Sequence, residues 1–400
     1  MCKYGDKCYR KNKQHLSQFK HQKRKGDEGS EEKPAKKAKK QKSEVGDAES
    51  SSNEEKVEEK SEDVVEEPEE LEEPDKSEET EDVDESDSPP TPSDVREEIK
   101  VKFKVGMPED FYEFWEFCQS LDKKNPTAAL HALGLELVGP FDILAGKFKN
   151  HKGKKPCYVL HWRYFYDPPE FMTVVKGDDK SQYHLGYYRD DPKEMPAFVA
   201  ANSAAENCNI KAMGENLFAA VKIHLDKVLK ETKNQTKKGE IKKLDDNLTK
   251  WAKKSKFSLE PKTKSMKNRD KKVVTKTFHG AGIVVPVVND VGYRPLPETD
   301  ASLKKILKKI VDSTTDDERT KNFDDLQEII TLVQFANDEC DYGEGYELGI
   351  DLFCNGSAYF HSAIDNLLPL AYTLLGRDEY AEIITKHLKQ RKKTNLSQLV

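Results

Sequence analysis

Phe111-Tyr112-Glu113-Phe114-Trp115-Glu116-Phe117-Cys118 is the stretch at which the chain begins to read as a folded body. Phe111, Phe114, Trp115 and Cys118 recur at helical spacing and share a face, which predicts an amphipathic helix laid on a core. Downstream, residues 158–166, 171–175 and 184–188 read as short β-rich runs, separated by turn formers such as Pro168-Pro169 and Asp178-Asp179. Leu217, Phe218, Val221, Leu225 and Val228 then return to helical spacing inside the Lys-rich stretch 216–256. Residues 283–288 read as an extended run after Gly280-Ala281-Gly282, limited to an edge strand by Pro286. Leu303, Ile306, Leu307 and Ile310 form one further helical stripe and Leu326, Ile329, Ile330 and Val333 another. Residues 367–388 predict one or two more helices, interrupted at Pro369 and Gly376. The expected body is α+β with two lobes, a mixed one over 95–225 and a mainly helical one over 226–400.

Ahead of that body the composition is different. Residues 1–43 carry fifteen Lys/Arg against five Asp/Glu, whereas residues 44–94 carry three against twenty-four, so a basic head precedes an acidic tether. Between residues 23 and 94 there is too little apolar side chain to offset the entropy of ordering, and a disordered linker is expected. Within it, Lys33-Pro34-Ala35-Lys36-Lys37-Ala38-Lys39-Lys40-Gln41-Lys42 has the basic density of a nuclear import signal. Ser88-Pro89 and Thr91-Pro92 fit proline-directed phosphorylation but read more readily as ordinary linker, where such pairs are common. No run of eighteen apolar residues occurs, and Met1 is followed by Cys2, Lys3 and Asp6, so neither a membrane span nor a secretory signal is expected. Seven cysteines, most of them scattered singly, suit a reducing compartment.

The first twenty-two residues hold Cys2, Cys8, His15 and His21. Two thiolates and two imidazoles suit tetrahedral zinc, and a piece this short needs a metal to supply its folding energy. The intervals differ from those of the DNA-reading finger, whose central spacing is about twelve residues. Tyr4-Gly5 between the cysteines, Tyr9-Arg10-Lys11-Asn12 after Cys8 and Phe19 before His21 resemble the poly(ADP-ribose)-binding zinc finger. That resemblance implies Tyr4 and Tyr9 as flat faces for adenine and Arg10 as a fork for pyrophosphate.

Phe335-Ala336-Asn337-Asp338-Glu339-Cys340-Asp341-Tyr342-Gly343 is the oddity of the body, an apolar helix running into three acids and a glycine. Carboxylates at a helix carboxyl end meet the negative pole of the dipole, at a cost of a few tenths to about 1 kcal/mol each. Two readings stay open from the residues alone: solvated acids capping a turn, or a general base oriented by a nearby cation. This segment, Thr275-Lys276-Thr277-Phe278-His279-Gly280-Ala281-Gly282 and Gly292-Tyr293-Arg294-Pro295-Leu296-Pro297-Glu298-Thr299-Asp300 closely resemble the histone poly-ADP-ribosylation factor family, and the likeness spans roughly 100–395.

The resemblance implies a nuclear accessory factor, expected to be a monomer at sites of DNA damage. It implies a chain that is not an autonomous enzyme but docks on the catalytic domain of a DNA-dependent poly(ADP-ribose) polymerase. Glu339 would be lent as general base for serine ADP-ribosylation of histones. NAD would be held by the polymerase rather than by this chain. Arg294 would pair with Glu339 beside Tyr293, and Asp338, Cys340 and Asp341 would sit around the polymerase's tail. The finger would follow product polymer, and a chain acting only as a polymer reader is the alternative. An independent hydrolase pair of Asp338 and Glu339 is a weaker third. His161, His184, His279 and His361 read as core or hydrogen-bonded histidines, since none has a ligand partner at short spacing. Lys alternates with Glu and Asp over 222–272 as on a solvated helix face, so direct DNA contact is not expected.

Overall fold

The structure, a computed structural model, describes residues 94–150 and 155–399. The finger residues Tyr4, Tyr9, Arg10, Cys2, Cys8, His15 and His21, the basic run 33–42, the acidic tether, Ser88 and Thr91 all lie outside the described residues. Helix α1 (Val95–Phe103) is capped by Asp94, whose carboxylate accepts from the Arg96 N–H. Helix α2 (Glu109–Leu121) is the aromatic helix read from the sequence; Phe111, Phe114, Phe117 and Cys118 are buried, and Trp115 is half-buried at the edge of the stripe. Phe111 stacks on Phe141 with centroids 4.1 Å apart, and Phe114 meets Phe218 edge-on at 5.0 Å.

Five strands follow in sequence order as an antiparallel meander: β1 (Glu136–Leu137), β2 (Phe171–Lys176), β3 (Tyr183–Tyr188), β4 (Phe198–Ser203) and β5 (Lys211–Gly214). A short helix, α3 (Phe141–Leu144), lies between the first two strands. Phe171 pairs with Tyr188 and Tyr188 with Phe198, so three rings line up across the strands. The run expected at 158–166 is not a strand. Tyr158–Leu160 is a single 3-10 turn, Trp162 adopts a positive φ of 57°, and the buried Arg163 pulls the chain back by donating to the carbonyls of Val159, Pro168 and Phe171. A side chain that needs that many local acceptors cannot sit in a ladder.

Helices α4 (Leu217–Glu231), α5 (Gln235–Lys254) and α6 (Lys264–Asp270) occupy the Lys-rich region, capped by Asn216, Asn234 and Thr263. Only Ile241, Leu244, Leu248 and Ala252 of α5 are buried, which leaves its lysines on the solvent side. Strands β6 (Val273–Thr275) and β7 (Ile283–Val284) pair as a two-stranded ribbon that ends before Pro286. Helices α7 (Asp300–Asp312), α8 (Asp316–Asp338), α9 (Tyr342–Asn355), α10 (His361–Leu374) and α11 (Asp378–Lys389) complete the body. Pro369 does not interrupt α10. Leu367, Leu368, Ala371 and Tyr372 are buried on both sides of it, and that packing outweighs the lost backbone bond. Gly376, at φ 71°, does mark a break, between α10 and α11. Among the described residues no helix is long and apolar enough to cross a membrane.

The fold class is α+β, with the strands of the large sheet all before residue 215 and helices dominating after it. The main hydrophobic cluster nevertheless runs from Ile99 to Leu388 and takes side chains from both sides of residue 225, a position that falls inside α4. Buried polar bonds brace the first portion internally and tie it to the second. Asp110 Oδ2 accepts from Tyr187 Oη at 2.7 Å and from the Leu217 N–H at 2.8 Å, and burial pushes its carboxyl up to about 6. Glu170 Oε1 accepts from the hydroxyls of both Tyr346 and Tyr372, joining the sheet to α9 and α10.

Candidate functional site

Helix α8 starts on the Thr315 cap with Asp316, Asp317 and Glu318 in its first turn, where the dipole favours acids. It ends at Asp338, and Glu339 is the capping residue, its N–H bonded to the carbonyls of Phe335 and Ala336. Cys340 takes a left-handed φ of 65° and is exposed. The Asp341 N–H then returns to Ala336 O at 2.9 Å, which closes the turn and lets α9 begin at Tyr342. Asp338 remains on the surface beside this turn.

The loop that carries Arg294 is fastened to the turn by its backbone. Gly292 N–H donates to Asp341 Oδ1 at 2.9 Å, and Gly343 N–H donates to Gly292 O at 2.9 Å. Contact is so close that a Cβ on Gly343 would stand 2.9 Å from Tyr293 Cδ2 and 3.0 Å from Gly292 O. Tyr293 is half-buried and its hydroxyl donates to Glu347 Oε2 at 2.9 Å, while Thr275 Oγ1 donates to Glu347 Oε1 at 2.9 Å.

Arg294 gathers three carboxylates. Nη2 donates to Glu339 Oε2 at 2.6 Å, Nε donates to Asp341 Oδ2 at 2.9 Å, and Glu344 Oε2 stands 3.4 Å from Nε. Glu339 is the outermost, with 13% of its side chain exposed against 2% for Asp341 and 1% for Glu344. A planar fork held at two points fixes Glu339 while leaving part of its carboxylate at the surface. Burial, with Asp341, Glu347 and Glu339 as like charges and Arg294 opposing, pushes the Glu344 carboxyl up to about 8. Further along α9, burial also pushes Asp351 up to about 8, although its Oδ1 accepts from the Phe278 N–H at 2.7 Å. Glu347 is raised mainly by burial as well.

The structure thus brings Glu339, Arg294, Tyr293 and Asp341 together and places Asp338 and Cys340 on the adjoining surface. Asp341 is buried with both oxygens engaged inside the chain. Glu344, Glu347, Asp351 and Thr275 were not among the residues expected at the site. Their signal is present in the sequence: acids at i, i+3 and i+7 within Gly343–Phe353, a segment otherwise of glycine, tyrosine and large aliphatics. Of the four histidines, His161 Nε2 lies 2.8 Å from Asp142 and His184 Nε2 lies 2.9 Å from Asp167, each within the core. His279 is buried and held neutral, its pKa pushed down to about 3 by burial and then by Arg269. Among the described residues no three His, Cys, Asp or Glu side chains are grouped to hold a metal ion.

Residues 94–391 match the family model described as Histone PARylation factor 1, which covers nearly all of the described body. The chain belongs to that family. Members of the histone PARylation factor 1 family are close in sequence: the protein of that name from Mus musculus is 56% identical over 312 residues, 77% of this chain and 90% of the mouse protein. The Danio rerio protein of the same name is 52% identical over 308 residues, 76% of this chain and 88% of the relative. Residues 1–24 match a second model, that of the PBZ domain, in agreement with the poly(ADP-ribose)-type finger read from Cys2, Cys8, His15 and His21. This family member therefore carries the finger ahead of its histone PARylation factor 1 region.

Proposed function

We propose that this chain docks on a DNA-damage-activated poly(ADP-ribose) polymerase and supplies Glu339 as the general base that directs ADP-ribosylation to serine on histones. The observation that carries the reading is the Arg294 fork, which holds Glu339 by Nη2 at 2.6 Å and is itself anchored to Asp341 by Nε at 2.9 Å. A serine hydroxyl is a poor nucleophile at neutral pH, so it needs a positioned base, whereas an acidic acceptor arrives already ionised. Glu339 takes the serine proton as the serine oxygen forms its bond to the ribose carbon of NAD and the bond from that carbon to nicotinamide breaks. The polymerase holds NAD and forms the other half of the site, so this chain has no activity alone.

Around the base, Asp338 and Cys340 offer exposed contacts to the polymerase, while Asp341 and Tyr293 act from inside the chain by holding Arg294 and its loop. At the amino terminus, Cys2, Cys8, His15 and His21 form a donor set that fits zinc, which would fold the finger. Tyr4, Tyr9 and Arg10 then take adenine and pyrophosphate of poly(ADP-ribose), keeping the protein at nuclear sites of damage where the polymer is made. The PBZ match favours one other reading, a polymer reader that works through the finger alone.

The two separate on one residue. DNA-activated polymerase, NAD and a serine-containing histone peptide are incubated with the wild-type chain or with Glu339→Ala, and the modified residues are mapped. Serine modification that is lost in Glu339→Ala, with retention of the polymerase in co-purification, supports the donated base. Modification confined to acidic residues with either protein overturns it and leaves the polymer reader.

A further inference from the structure

Arg294 carries one positive charge and faces three carboxylates, of which the innermost, Glu344, differs in kind from the other two. Glu339 and Asp341 each accept a hydrogen bond from the guanidinium, at 2.6 and 2.9 Å. Glu344 Oε2 reaches only 3.4 Å from Nε, is shut off from water, and has no hydrogen-bond partner. An ionised carboxylate left in that state would be strongly destabilised, and it would compete with Asp341 for the same Nε–H. Among the described residues, the charged groups that act on it most are Arg294 from the loop, Glu339 and Asp341 from the turn, and Glu347 from its own helix; Glu347 is occupied by Tyr293 Oη and Thr275 Oγ1. Arg294 is the only cation among them, so the cluster has a surplus of acid at its buried end.

We propose that Glu344 is a positioning residue for the Glu339 base: as a neutral carboxylic acid it leaves the Arg294 fork to Glu339 and Asp341, and on losing its proton it draws the guanidinium inward and slackens the hold on Glu339. The inference rests on the donated-base reading above. Its chemistry follows from the geometry. Glu344 Oε2 stands 3.4 Å from Nε and is buried, whereas the partly exposed Glu339 is held by Nη2 at 2.6 Å, so an ionised Glu344 would compete with Glu339 for the one guanidinium. With the Glu344 carboxyl pushed up to about 8, the neutral form dominates at neutral pH and gives way just above it.

The test compares wild type with Glu344→Gln, which keeps shape and polarity but cannot ionise, in the complex of polymerase, NAD and serine peptide at about pH 7 and about pH 9. Acidic-residue modification by the polymerase alone at each pH serves as the reference. In wild type the serine-specific kcat is expected to fall about tenfold across that interval, the loss of the protonated form above its midpoint, with KM for the peptide little changed. In Glu344→Gln that fall is absent. Parallel pH profiles for the two proteins overturn the inference. A Glu339→Gln arm separates the failures: if Glu339→Gln still modifies serine, the donated-base reading itself is wrong, whereas an inactive Glu339→Gln beside an unshifted Glu344→Gln sinks only the role of Glu344. Should Glu344→Gln fold poorly, the wild-type chain decides by itself. The Arg294 Nε–H resonance, assigned with Arg294→Lys, is expected to shift with a midpoint near that of Glu344, and a resonance that stays fixed up to about pH 9 overturns the proposal.

Discussion

Arg294 Nη2 lies 2.6 Å from Glu339 Oε2 at the end of α8, so the carboxylate assigned as the base is oriented by its own chain. The guanidinium spans two acceptors on different segments, and a lysine ammonium cannot span both with one planar group. Arg294→Lys should therefore lower serine modification about tenfold to a hundredfold, less than the roughly hundredfold to ten-thousandfold that a positioned general base contributes, because Glu339 is loosened rather than removed. The readout is the initial rate on a serine-containing histone peptide at fixed polymerase. A rate within about twofold of wild type would show that charge alone suffices and that the fork is dispensable.

Stability should decline as pH rises. Glu344 and Asp351 keep their protons in the folded chain until about pH 8, whereas the same groups in the unfolded chain release them at about pH 4. Below the lower value both states are protonated and the contribution is complete; between the two the folded state binds more protons, and unfolding becomes easier by about 1.4 kcal/mol per pH unit for each group. Above the upper value the dependence levels off. Chemical denaturation at several pH values should give this slope, and Asp351→Asn should remove about one proton's worth of it. A midpoint that climbs with pH over the same window would contradict the buried-acid assignment.

Gly343→Ala should damage the site through packing rather than charge. The added methyl would stand 2.9 Å from Tyr293 Cδ2, 3.0 Å from Gly292 O and 3.0 Å from Val285 Cγ2, two of them on the loop that carries Arg294. Overpacking of this kind costs about 1–3 kcal/mol, read as a lower melting temperature together with a loss of serine modification. Unchanged melting would mean that the loop yields freely, and the backbone clasp between Gly292 and Gly343 would then contribute little.

Removal of zinc should divide the two proposed activities, polymer binding by the finger and serine direction by the body. Chelation, or Cys8→Ser, is expected to abolish retention on poly(ADP-ribose) while leaving serine modification of a free peptide within about twofold of wild type, because the base lies in the body. Pull-down on polymer and the peptide assay, run on the same preparations, check both halves. Polymer retention that survives chelation would rule out a zinc-folded finger as the binding element.

The sequence made the aromatic helix legible because Phe111, Phe114 and Cys118 repeat at helical spacing, and it made β2 and β3 legible through their aromatic and β-branched runs. It concealed α9, whose residues from Gly343 to Cys354 are buried on every side, so no amphipathic stripe exists to be read. Strand β4, Phe198-Val199-Ala200-Ala201-Asn202-Ser203, was hidden for a related reason, since small buried residues carry little β signal. At 158–166 local propensity misled, because the hydrogen-bond needs of the buried Arg163 override it. At the site, Glu339 and Arg294 were reached only through family resemblance; 45 residues separate them, and no local pattern reports a pairing at that range. Glu344 and Glu347 carry a spacing signal, but acids in a glycine-rich segment give no local sign that they are buried.

The apolar cluster that runs unbroken from Ile99 to Leu388 bears on how inherited lesions in this protein would behave. A substitution at Phe111 or Tyr372, both members of that cluster, would be felt across the whole body, and the cell would lose the protein as a dose, giving a recessive allele. Glu339 lies outside that interior, so on the proposed function a substitution there would leave a chain that persists, still docks and withholds the proton acceptor, and such an allele would act against the working copy beside it.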